Sequence, residues 1–124
     1  MLFVVLSDVH ANLPALDAVL ADAHRYGPDA FLVAGDLTAC PYPCETLDRL
    51  RSLPGWLIRG NTDSDLIDLV HGVAPDAWRT HRQYGLARWS AAHIAAGDVD
   101  YLAGLPEEQR GWGVQQSIPD PVWE

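Results

Sequence analysis

At 124 residues, 48% hydrophobic and 20% charged, the chain has the size and composition of one ordinary globular domain with a modest core. Its formal charge of -9, with eight basic residues scattered along the sequence, argues against a nucleic-acid groove and against binding to an anionic membrane surface. The short apolar opening has no basic flank and runs straight into Asp8, unlike a signal peptide, and no run reaches the length of a membrane span, so cytoplasm is the expected location.

Leu2 to Leu6 reads as a first strand and leads into Ser7-Asp8-Val9-His10. Asn12 then suits the N-cap of a helix, with Pro14 tolerated in its first turn and Leu13, Leu16, Leu20 and Ala23 forming one apolar stripe. Gly27-Pro28 ends that helix, and a second strand beginning near Ala30 runs into Gly35-Asp36. A second helix is expected from about Pro43, with Leu47 and Leu50 on one face and a stop before Pro54-Gly55. The third strand, Trp56 to Arg59, gives way to Gly60-Asn61-Thr62-Asp63. Leu66, Ile67, Leu69 and Val70 then predict a short helix closed by Gly72.

From Val73 onward the pattern is helical. Gln83 to Ala96 carries Leu86, Trp89, Ala92, His93 and Ala96 at spacings of three and four, and Asp98 suits the N-cap of a short helix with Tyr101, Leu102 and Leu105. Gly111 to Glu124, which holds Trp112, Pro119, Pro121 and Trp123, shows neither a strand nor a helix period. Cys40 and Cys44 match neither a zinc-knuckle nor a thioredoxin-type spacing and read as two reduced thiols near a helix start.

Strands alternating with helices of this length predict an α/β fold with a mostly parallel sheet flanked by helices. Ligand sites in such sheets form outside the carboxyl ends of the strands. Asp8, His10, Asp36 and Asn61 each follow a strand, so they are expected to converge on one edge as ligands for divalent metal. Each motif alone has an ordinary explanation: a Ser-Asp turn with an incidental histidine, a common strand exit at Gly35-Asp36, or a turn at Gly60-Asn61 that needs positive φ. Their shared context, in a fixed order with one strand–helix unit between neighbours, favours the metal reading.

Asp8-Val9-His10, Gly35-Asp36 and Gly60-Asn61 together resemble the opening blocks of the calcineurin-like metallophosphoesterases, and specifically their small prokaryotic phosphodiesterase branch. The segments from His10 to Leu16 and from Tyr101 to Pro106 are similar to that family as well. The resemblance covers about residues 1–106, which would form an incomplete metallophosphoesterase-like domain, with 107–124 left as an unassigned tail. It implies the N-terminal portion of a four-layer αββα sandwich. It also implies hydrolysis of phosphomonoesters or phosphodiesters by water activated between two divalent ions, with manganese, iron or zinc as the candidate metals. By the same resemblance Asp8 and His10 would bind the first metal, Asp36 would bridge both and Asn61 would bind the second.

The family's remaining ligands come from a His-Gly block and a Gly-His-x-His block that do not follow here. His71-Gly72 matches the dipeptide but falls at a helix end, His93 is expected to be packed in the core, His24 suits a helix C-terminus, and His81 has no readable context. Many relatives place a histidine after Gly-Asn, whereas this chain has Thr62, whose hydroxyl is no general acid near neutral pH. Asp63 is expected to cap the following helix or to orient a neighbour, with the cap preferred. Impaired hydrolysis is therefore expected for these residues alone. The competing reading is a non-catalytic, truncated or metal-binding subunit that completes its site with a partner. A phosphate-ester substrate and a homo-oligomer are the expected partners.

Overall fold

The computed structural model describes residues 1–111 and 114–117. Its first three strands, β1 (Phe3–Leu6), β2 (Ala30–Ala34) and β3 (Gly55–Ile58), form a parallel sheet in the order β1-β2-β3. Helix α1 (Leu13–His24) joins the first pair and α2 (Pro43–Arg51) the second. The register sets Leu6 beside Val33 and Ala34 beside Ile58, so all three strands deliver their carboxyl ends to one edge. The expected α/β architecture of a parallel sheet flanked by helices is the one observed.

Local chemistry accounts for the boundaries. The Asn12 side chain accepts a hydrogen bond from the Ala15 amide, 3.2 Å, and caps α1 as its sequence position suggests. Pro43 opens α2, where its missing N–H costs nothing, and Arg49 and Arg51 sit in the last turn, favourably placed at the negative end of the helix. Helix α3 (Asn61–His71) ends at Gly72, which takes the left-handed conformation at φ 74°.

The core lies where helix stripes meet the central strand. Leu16, Leu20 and Ala23 of α1, Leu47 and Leu50 of α2, and Leu66 and Ile67 of α3 cluster with Phe31 and Val33 of β2. Phe31, Leu32 and Val33 are all buried, as expected of a central parallel strand covered on both faces. Strand β1 is different. Val5 is 63% exposed, and a cavity of about 190 Å³, whose lining mixes Leu6, Val9 and Val19 with Ser7, Asp8 and Asn12, opens beside its carboxyl end.

The second half departs from expectation in four places. Instead of one helix from Gln83 to Ala96 there are a 3-10 turn (Arg82–Tyr84) and α5 (Gly85–His93), preceded by a short α4 (Asp76–Thr80); the short helix expected next is present as α6 (Ala96–Gly104). The stripe at Leu86, Trp89 and His93 faces outward: Leu86 is 69% exposed, and His93 stacks on Trp89 at 3.9 Å between centroids instead of entering the core. In α5 it is Ser90 that is buried, its hydroxyl satisfied by the Leu86 carbonyl. Asp98 lies inside the first turn of α6, whose N-cap is Ala95, and it pairs with Arg51 at 3.7 Å.

The fourth departure concerns the tail. Residues Glu108–Gly111 and Val114–Ser117 form an antiparallel hairpin, β4 and β5, where the sequence shows no period. The chain entering it is anchored to the end of β3. The Arg59 amide donates to the Pro106 carbonyl at 3.0 Å, and the Arg59 guanidinium reaches Ala103 and Glu107. Residues 112, 113 and 118–124, with Trp112, Pro119, Pro121 and Trp123 among them, lie outside the described residues. No described helix is long and apolar enough to cross a membrane.

Candidate metal centre

Beyond the sheet, the segments after β1 and β2 stay zipped together. The amides of Asp8, His10 and Ala11 donate to the carbonyls of Gly35, Asp36 and Leu37, at 3.1, 2.9 and 3.1 Å. This extension of the ladder past the last strand residues carries Asp8 and His10 alongside Asp36. It also forces unusual backbone: Asp8, His10, Ala11 and Asp36 have φ of 57°, 47°, 54° and 53°. A non-glycine residue in this region costs about 1–2 kcal/mol, and such residues persist where surrounding contacts over-determine them, often at functional sites.

The side chains meet as the sequence spacing suggests. One ligand atom from each of Asp8, His10 and Asp36 lies within 4.8 Å of the others. His10 Nε2 stands 3.4 Å from Asp8 Oδ1 and 3.8 Å from Asp36 Oδ2. Asp8 is the open member of the trio and Asp36 the shielded one, with side chains 63% and 17% exposed. The Ser7 hydroxyl, donating to Asp8, holds that carboxyl below the ordinary value, and the neighbouring His10 works in the same direction. The Asp65 carboxyl is pushed up by burial and by the charges of Asp68 and Asp36. The pocket is thus acidic, with an imidazole nitrogen between two carboxylates. That donor chemistry fits a divalent cation.

Asn61 arrives on the same edge from β3. It is the first residue of α3 and follows Gly60, which packs against Asp36 so closely that a Cβ at Gly60 would collide with the Asp36 carboxylate and amide. Gly60 has φ -94°, so close approach is what requires glycine here, not the positive φ suggested by the turn-like dipeptide. Its neighbour across the gap, Gly35, does need positive φ, at 91°, and packs 2.8 Å from the Gly60 Cα measured from an ideal Cβ.

Two further residues organise the cluster: Thr62, marked in the sequence only as no general acid, and Asp63, expected there to cap the helix or orient a neighbour. Thr62 donates both its amide, 3.1 Å, and its hydroxyl, 2.7 Å, to Asp36 Oδ1, which leaves Oδ2 toward His10. Asp63 caps α3 as expected by accepting the Gly60 amide at 2.7 Å, but it also accepts from Leu37 and Thr38 across the sheet edge. Burial pushes the Asp63 carboxyl up, and the hydrogen bonds from Gly60, Thr38 and Leu37 pull it back. Thr38 and Leu37 lie 25 and 26 residues away, so no local pattern announces them. His71, at the far end of α3, is exposed and outside the cluster.

A family model for calcineurin-like phosphoesterases matches residues 1–118, reaching past the segment over which the motifs were legible. Among solved structures, the chain is similar to a metallophosphoesterase from Sphaerobacter thermophilus, at 29% identity and a TM-score of 0.69, covering 88% of this chain and 42% of that one. A hypothetical protein from Pyrococcus horikoshii OT3 shares the fold at 20% identity and the same TM-score of 0.69, over 88% and 50% of the two chains. This chain therefore spans half or less of the length of these solved structures. No curated protein sequence matches it.

Proposed function

We propose that this chain, which belongs to the calcineurin-like phosphoesterase family, carries the metal-holding half of a hydrolase acting on phosphomonoesters or phosphodiesters. The observation that carries this reading is the meeting of Asp8, His10 and Asp36 at one sheet edge, enforced by a strained and zipped pair of loops. Asp8 and His10 would hold one divalent ion, Asp36 would serve two, and Asn61 would hold the second. Manganese, iron or zinc suits this mixed oxygen and nitrogen set. When bound, a pair of such ions supplies the positive charge that activates water and stabilises the phosphoryl oxygens.

The chain's own residues do the positioning. Thr62 fixes the Asp36 carboxylate through Oδ1, and the backbone ladder fixes Asp8 and His10 against it. The Thr62 hydroxyl is committed to Asp36 and is no proton donor near neutral pH, so protonation of a leaving group falls to another group or to water. With Asp36 and Asn61 as the only protein ligands named for the second ion, that position is soft. Misplacement by about 1 Å can cost on the order of a hundredfold in rate. Slow turnover is therefore expected from these 124 residues by themselves.

The test is hydrolysis of an aryl phosphodiester with Mn²⁺, on this chain and on the chain lengthened by His-Gly and Gly-His-x-His blocks. The expected result is little turnover from the first and Mn²⁺-dependent turnover from the second, lost in Asp36→Ala. Equal rates with and without Asp36 in the lengthened chain would overturn the hydrolase reading and favour a non-catalytic metal-binding subunit.

A further inference from the structure

We propose that Asp63 is a positioning residue for the metal centre, its buried carboxylate tying the loop that carries Asp36 to the helix start that carries Asn61. The proposal rests on the metal-holding reading above and assigns Asp63 no contact with metal or substrate.

Asp63 is fully buried. A carboxylate removed from water is costly unless its lone pairs are satisfied. The Gly60 amide alone would complete a helix cap, yet three further donors converge on the same group. The Leu37 amide lies 3.0 Å from Oδ1 and 3.2 Å from Oδ2, and the Thr38 amide and hydroxyl each lie 3.0 Å from Oδ1. A cap uses partners from its own helix start, whereas these come from the other loop.

The placement of the donors makes the tie functional in shape. Leu37 and Thr38 directly follow Asp36, and Gly60 directly precedes Asn61. One carboxylate thus grips the backbone immediately beside two of the proposed metal ligands. Thr62 adds a second link at the side-chain level, from the same helix turn to Asp36 Oδ1. The separation of the Asp36 and Asn61 backbones is set by these two bridges, because Gly60 and Asp36 have no spare room between them.

The experiment measures Mn²⁺ affinity by calorimetry and the visible spectrum of bound Co²⁺ in the unsubstituted protein, Asp63→Asn, Thr38→Val and Thr38→Ser. Asparagine keeps the size of Asp63 but turns an amide N–H₂ toward groups that are themselves donors. Asp63→Asn is expected to weaken Mn²⁺ binding by about ten- to a hundredfold, the usual effect of removing a group that orients ligands, and to change the Co²⁺ spectrum at saturation. Thr38→Val removes one donor from the tie at nearly constant volume. It is expected to weaken binding by about threefold, the scale of one net hydrogen bond, with Thr38→Ser restoring it. A residue serving the fold alone would lower thermal stability and leave affinity and spectrum unchanged.

Unchanged affinity and spectrum in folded Asp63→Asn would overturn the positioning role and leave the metal centre standing. Should Asp63→Asn not fold, the same result in Thr38→Val would overturn it. Failure of the unsubstituted protein to bind Mn²⁺ would overturn both.

Discussion

Gly60→Ala is expected to destabilise the protein by about 3 kcal/mol, the upper range for forcing a side chain into a packed position. The added methyl would fall on the Asp36 carboxylate and the Asp36 amide. Neither neighbour is a flexible chain end. The carboxylate is pinned by Thr62, and the amide belongs to a loop gripped by Asp63 on one side and by the amides of Asp8, His10 and Ala11 on the other. Relief therefore requires one loop to move as a unit, which breaks hydrogen bonds on both. Chemical denaturation measures the loss, and Mn²⁺ affinity should fall with it because the moved loop carries Asp36. Stability within 0.5 kcal/mol of the unsubstituted protein, about the scatter of neutral surface changes, would show that the loops are not locked together.

Asp36→Ala is expected to weaken Mn²⁺ binding by at least about a hundredfold, more than the loss of a merely supporting group. Asp36 is the shielded carboxylate of the trio and faces His10 through Oδ2 while Thr62 holds Oδ1. Its removal leaves Asp8 and His10 as a two-ligand remnant, with Asp8 largely in solvent. Without metal, the variant loses the two Thr62 hydrogen bonds, so its melting temperature should fall somewhat; the larger effect should appear in the metal-bound state. With Mn²⁺ at about one hundred times its dissociation constant, the unsubstituted protein should gain about 2.7 kcal/mol by mass action, and Asp36→Ala should gain almost none. Equal metal-induced stabilisation in both would place the ion elsewhere.

Much of this centre was legible because it depends on short-range grammar. An apolar run followed by a polar motif marks a strand end, and three such units in series imply parallel strands whose ends share an edge. The first three helices were legible for the same reason, since Asn12, Pro43 and Gly72 are local signals. What stayed hidden depends on contacts between distant residues. Thr62 and Asp63 act on Asp36, Leu37 and Thr38 across the gap between two loops, and nothing within their own turn reveals it.

The helical stripe from Leu86 to His93 misled for a related reason. Periodicity finds an apolar face but does not say that the fold turns it inward. Here the face buried against the rest of the domain carries Ser90 and Ala91, while Trp89 and His93 cover one another at the surface. The pairing of Glu108–Gly111 with Val114–Ser117 is equally silent in the sequence, since matching Gln109 with Gln116 and Arg110 with Gln115 joins polar residues without alternation.

The central claim is that Asp8, His10 and Asp36 hold a divalent ion. Diffraction at the manganese absorption edge, from crystals grown with Mn²⁺, tests it most directly. The expected result is an anomalous peak bonded to carboxylate oxygens of Asp8 and Asp36 and to His10 Nε2. An empty cluster at saturating Mn²⁺, or an ion bound elsewhere on the protein, would contradict it.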